Sequence, residues 1–155
     1  MPMISFDDGP YRFNYRIAGV AIRDGRLLLH RFPADAFWSL PGGRADAGET
    51  SEATLIREMR EETGLTVTHA RLIWIAENFF TYRDRTYHEL GLFYAMELNT
   101  TGTAPFAGAE GHHTLEFRWF SPEEMDQVEV YPLFLRRAWQ EPTQGIRHFV
   151  EQHIR

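Results

Sequence analysis

Apolar residues fall mostly into short runs rich in β-branched and aromatic side chains, and only once at clear helical spacing. Residues 1–10 read as a tail closed by Asp7-Asp8-Gly9-Pro10. From Tyr11 to His30, YRFNYRIAGVAI, the turn Arg23-Asp24-Gly25 and RLLLH predict a hairpin, because Asp-Gly between apolar runs favours a tight turn. RFPADAF reads as a loop, and FWSL as a short apolar stretch leading into Pro41-Gly42-Gly43, which continues neither strand nor helix comfortably. THARLIWIAENFF and TYHELGLFYAMEL have the composition of strands flanking a turn at Tyr82-Arg83-Asp84-Arg85. Residues 99–113 predict a long polar loop, and LEFRWF another strand. Ser121-Pro122-Glu123-Glu124 opens a helix over 122–126 through a capping box. PLFLRRAW predicts a further helix, whereas 141–155 fits helix or strand.

The helical stretch lies over 51–63. Thr50 or Ser51 can cap it, and Glu49 and Glu52 suit its positive end. Ala53, Ile56, Met59 and Thr63 recur at helical spacing and offer a face to bury, and Gly64 stands where a left-handed cap belongs. The polar side breaks a local rule. Glu58, Glu61 and Glu62 share one face and crowd the carboxyl end, where the macrodipole disfavours negative charge. The plain reading is a solvated acidic face with Arg57 bridging to Glu61. The functional reading is that something positive sits among the carboxylates.

Spacing decides between them. Gly43, five residues, Glu49, seven residues, Arg57-Glu58, Met59, Arg60, Glu61-Glu62, Thr63, Gly64 and Leu65 resemble the Nudix box at every specified position. The resemblance covers residues 43–65 directly and implies a Nudix (MutT-like) hydrolase. It implies one domain over 1–155, an α/β fold, and an α/β/α sandwich with a mixed β-sheet between helices. It further implies hydrolysis of a phosphoanhydride in a nucleoside diphosphate linked to another group, with Mg²⁺ as cofactor and Mn²⁺ able to substitute. Mg²⁺ suits such a site because it takes oxygen ligands and keeps several waters. Glu58, Glu62, Glu61 and the carbonyl of Gly42 are the metal ligands so implied, with Arg57 orienting the acids through Glu49 or Glu61. The general base is Glu58 or an acid from a later loop. Glu116 is the first candidate there and Glu110 its competitor. Candidate substrate contacts are Trp38, which either stacks on a base or packs under the loop, Arg44, Phe80 and Tyr82. His112-His113 beside these acids are candidates for a transition-metal site, with bystanders the plainer reading.

Composition narrows the partners. Among 155 residues, 43% are hydrophobic and 14% aromatic, as in a globular chain. A net charge of −6 with no evident basic stripe argues against a long nucleic acid, though not against a small nucleotide. There is no cysteine, and no apolar run approaches membrane-spanning length, so the expectation is a cytoplasmic protein with no membrane partner. No proline lies near 80–82, and neither an SQPWPFP-like segment nor a coenzyme A signature is found, so the family's ADP-ribose, NADH and coenzyme A markers are missing. Nucleotide pyrophosphohydrolysis leads by elimination. Diadenosine polyphosphate, ADP-ribose and sugar-nucleotide hydrolysis are the alternatives, followed by RNA 5′-pyrophosphohydrolysis or a non-catalytic binding module. Family members are often homodimers, which makes a dimer an expectation.

Overall fold

The computed structural model describes residues 3–142 and 144–153, so what the sequence suggests for 1–2, 143 and 154–155 lies outside it. The elements in chain order begin with β1 (Ser5–Asp8), β2 (Tyr11–Val20), β3 (Ile22–Arg23), β4 (Arg26–Arg31), β5 (Phe37–Trp38) and β6 (Gly42–Arg44). After α1 (Ser51–Thr63) come the long strands β7 (Val67–Tyr82) and β8 (Arg85–Leu98), then β9 (Phe106–Glu110) and β10 (His113–Phe120). Short α2 (Pro122–Met125), β11 (Glu129–Val130), α3 (Leu135–Ala138) and β12 (Arg147–His153) complete the chain.

The six-stranded sheet runs β1-β2-β8-β7-β12, with β6 also on β2. It is mixed: β2 and β8 pair in parallel, β8 and β7 antiparallel, β7 and β12 in parallel. A second sheet runs β3-β4-β10-β9, and β5 pairs with β11. Two buried clusters fill the space around these sheets. Ile17, Tyr94 and Met96 pack with Leu55 and Met59 of α1, whereas Ala18, Trp74 and Phe93 pack with Leu135 and Ala138 of α3 on the opposite face. The result is a mixed α/β fold with helices on both sides of a mixed sheet.

Several local expectations are corrected. Tyr11–His30 is not one hairpin. The turn at Asp24-Gly25 joins β3 to β4, while β2 belongs to the large sheet, because pairing with β8 over ten residues outweighs the local turn. The tail holds β1, paired with β2. Gly42-Gly43, read as a loop, instead forms β6 against β2. The 99–113 loop shortens to 99–105, since Phe106–Glu110 pairs with β10. The helix expected over 132–139 is a single turn, and the ambiguous tail contains β12, parallel to β7.

Candidate active site

Helix α1 forms over 51–63. Thr50 caps it by accepting from the Ala53 amide at 3.2 Å, and Gly64 ends it at φ 74°, a left-handed conformation that costs glycine little. Its buried stripe is not the apolar one expected. Thr54, Leu55, Met59 and Glu62 are buried, while Ala53 is exposed and Ile56 and Thr63 are half-buried. Thr54 turns inward because its hydroxyl donates to Glu49 at 2.7 Å. Burial of Glu62 has no such local reason.

Arg57 organises the acids. Its guanidinium grips Glu49 with two bonds, at 2.8 and 3.0 Å, and donates to Glu58 at 2.9 Å and Glu61 at 3.1 Å. A further bond at 3.1 Å to the carbonyl of Arg44 ties the helix to β6. The Arg57 grip, with bonds from Thr54 and the Asp46 amide, holds the Glu49 carboxyl near pKa 2. Arg57 thus neutralises charge that would otherwise accumulate on the helix, and it orients Glu58 and Glu61.

Glu58 lies directly over Gly43. A Cβ at Gly43 would stand 2.2 Å from the Glu58 carboxyl carbon, and one at Gly42 would stand 2.0 Å from the Ile17 carbonyl oxygen. The two glycines therefore let the helix carboxylate and the β2–β6 backbone close together. Glu62, one turn on, is only 4% exposed, and its Oε2 has no hydrogen-bond partner among the described residues. Burial, reinforced by the Glu58 charge, pushes its pKa up to about 9. Burial likewise raises Glu58, against the pull of Arg57. Glu61 points outward, its side chain 60% exposed.

Strand β9 decides which later acid reaches this site. Gly108 packs against the Glu62 carbonyl, where a Cβ would come within 2.4 Å, so β9 lies on the carboxyl end of α1. Residues alternate faces along a strand, so Glu110 shares that side, and its charge raises both Glu58 and Glu62. Glu116 pairs with Ala107 and therefore faces the other way, bonded to Arg31 at 2.7 Å. The structure brings Glu110 to the acids and carries Glu116 away from them. An alternating pattern through FAGAE was the signal available, and its small residues obscured it.

The remaining candidates separate. Trp38 is buried, edge-on to Phe120 at 4.8 Å and covered by the Arg31 guanidinium at 4.5 Å, so it packs under the loop rather than offering a free ring. Phe80 stacks on Tyr87 at 5.0 Å, and the Tyr82 hydroxyl donates to Asp35 at 3.0 Å. Arg44 pairs with Arg16 across β6 and β2. His113 packs edge-on to Phe32, and among the described residues no three histidines or acids converge on a common ion-sized site.

The family's divalent ion fits the residues present. An all-oxygen set stands at one place: the unpartnered buried Oε2 of Glu62, the Glu58 carboxylate over Gly43, and the neighbouring backbone. A protein that supplies two carboxylates leaves the remaining positions to waters and phosphate oxygens, as Mg²⁺ prefers.

A helix that presents carboxylates over a two-glycine strand, pinned by one arginine, forms a set of oxygen ligands suited to a divalent cation. The sequence model of the NUDIX domain family matches residues 14–141, and the chain belongs to that family, as a Nudix hydrolase acting on nucleoside diphosphate derivatives. It is similar to a MutT-like protein of Streptomyces ambofaciens, 29% identical over 143 residues, covering 89% of this chain and 84% of the other. A CTP pyrophosphohydrolase of Escherichia coli is 30% identical over 121 residues, covering 75% and 82%. Among solved structures, a MutT NUDIX hydrolase from Burkholderia pseudomallei superposes with a TM-score of 0.62 at 21% identity, covering 83% of this chain and 98% of that one. Among the described residues, no helix is long and apolar enough to cross a membrane.

Proposed function

We propose that this chain hydrolyses a phosphoanhydride bond in a small nucleotide, with Mg²⁺ bound by Glu58, Glu62 and the Gly42 carbonyl. The observation that carries the reading is the buried, unpartnered oxygen of Glu62 beside the Glu58 carboxylate on Gly43. A carboxyl group in that position gains a partner only when a cation or proton arrives. The bound ion would neutralise charge on the phosphate oxygens and position the attacking water. Arg57 holds Glu58 in place and keeps Glu61 at the rim. Glu110, next to the pair but outside the helix, accepts the proton of the attacking water. Water adds to phosphorus, the bridging P–O bond breaks, and the nucleotide fragment leaves as a phosphate.

The net charge of −6 and the absence of an evident basic stripe favour a small nucleotide over RNA. The test is phosphate and pyrophosphate release from a nucleotide panel that includes ADP-ribose, diadenosine polyphosphates and sugar nucleotides, with and without Mg²⁺ or Mn²⁺. Glu58→Gln and Glu62→Gln should each lower the rate by orders of magnitude. Glu123→Gln, on α2, should change it little. Equal losses from all three would place the reaction centre elsewhere.

A further inference from the structure

The large sheet ends on one side at β1 and β6, four and three residues long, and on the other at β12. β12 runs seven residues in unbroken parallel register with β7, without proline or bulge. Among the described residues, its outward backbone N–H and C=O groups bond to nothing. Exposed apolar side chains gather at the same edge. Val150 on β12 is 59% exposed, Ile146 just before the strand 56%, and Leu133, whose amide bonds Glu151, 40%. Protected edges are short, bulged, proline-bearing or covered, and β12 is none of these. An open edge of this length with apolar side chains beside it is a template for a further strand.

The charges on β12 select which strand. Charged side chains usually protect an edge, but here they stand with opposite sign about Phe149, Arg147 two residues before it and Glu151 two after. Laid antiparallel on a second copy with Phe149 opposite Phe149, β12 sets each Arg147 against the other copy's Glu151. Opposite charges directly across a strand pair favour it, and like charges oppose it. Arg147, Phe149 and Glu151 share the sheet face that carries α3, where the Arg147 guanidinium lies over the Phe149 ring at 4.8 Å. Arg147 is otherwise held only by a 3.4 Å bond to exposed Glu141. Glu151 accepts the amides of Leu133 and Phe134, each at 2.8 Å, and a carboxylate has further lone pairs to offer. On the other face the same register brings exposed His148 against exposed Val150. A slip of two residues either way sets Glu151 against Phe149 or Gly145 and loses both ion pairs.

We propose that β12 is the seam of a homodimer, in which two copies of this chain join antiparallel, edge to edge, into one continuous sheet. The two-fold axis stands normal to the sheet, so both copies keep α1 on the same face. Such a contact is isologous and closes on itself, which limits assembly to two. The acids lie by β6, at the opposite edge, and stay clear of the seam. The dimer is independent of the hydrolase reading and of the substrate.

Sedimentation velocity of the full chain between about 1 and 200 µM should show a monomer–dimer equilibrium. Arg147→Glu sets acid opposite acid and should weaken the dimer by about tenfold or more, with circular dichroism unchanged. Crosslinking reads the register. The chain has no cysteine, so His148→Cys with Val150→Cys supplies the only thiols, and mild oxidation should give a covalent dimer. His148→Cys with Gln152→Cys, whose thiols meet only after a slip of two residues, should crosslink far less. A monomer throughout the concentration range, or a dimer insensitive to Arg147→Glu, would overturn the proposal. Equal crosslinking by the two cysteine pairs would overturn the register, and with it the Arg147–Glu151 pairing.

Discussion

Glu62→Gln is the most informative perturbation because it separates the burial of this carboxyl group from its use. In the folded, metal-free chain Glu62 titrates near 9, against 4.5 for an ordinary glutamate, chiefly because it is buried and has Glu58 beside it. The sign follows from which state holds the proton. Below pH 4.5 both states are protonated and the group contributes nothing. Between 4.5 and 9 the unfolded chain has released a proton that the folded chain retains, so stability falls as pH rises, by about 1.4 kcal/mol per unit. From pH 5.5 to 7.5 that amounts to about 2.7 kcal/mol. Glutamine cannot ionise, so Glu62→Gln should gain on the unmodified protein by roughly this amount over the interval. For a domain of this length the relative melting temperature should move by on the order of 5–10 °C. Thermal melts of both proteins in EDTA at several pH values measure it. Saturating Mg²⁺ at pH 7.5 should then narrow the difference. An ion bound only by the folded state adds about 2.7 kcal/mol at 100 times its dissociation constant, and the variant should gain less. A stability difference in EDTA that stays constant with pH would refute the claim that Glu62 is buried without a partner. Equal metal shifts in the two proteins would show that Glu62 holds no ion.

Gly43→Ala places a Cβ 2.2 Å from the Glu58 carboxyl carbon and must displace the carboxylate from its 2.9 Å bond to Arg57. A shift of that size should lower kcat about a hundredfold while circular dichroism stays unchanged. Glu110→Gln should cost about a hundredfold or more in kcat, and Glu116→Gln less than about threefold, because only the former faces α1; the reverse order in steady-state kinetics would mean that β9 is mis-registered. His30, buried against Phe117 and near Arg16, has its pKa pushed down to about 3, so the folded state refuses a proton that the unfolded chain accepts below pH 6.5. Stability should therefore fall with pH below 6.5, and His30→Leu should make the stability curve between pH 6 and 4 shallower by about one proton, read from denaturant melts.

What the sequence determined by itself is what short-range chemistry controls. Thr50, Gly64 and the spacing of Glu49, Arg57, Glu58, Glu61 and Glu62 place a capped helix and its acids, because capping bonds and helical geometry act within a turn or two. The Ser121 capping box was legible for the same reason. Tertiary structure decided the rest. Whether β2 pairs with β4 or with β8 depends on partners far along the chain, and Gly42-Gly43 becomes a strand only because Ile17 and Ala18 lie beside it. The inward turn of Glu62 runs against its own polarity and is imposed by packing. The choice between Glu110 and Glu116 rests on the register of β9 with β10, where a shift of one residue exchanges the two faces.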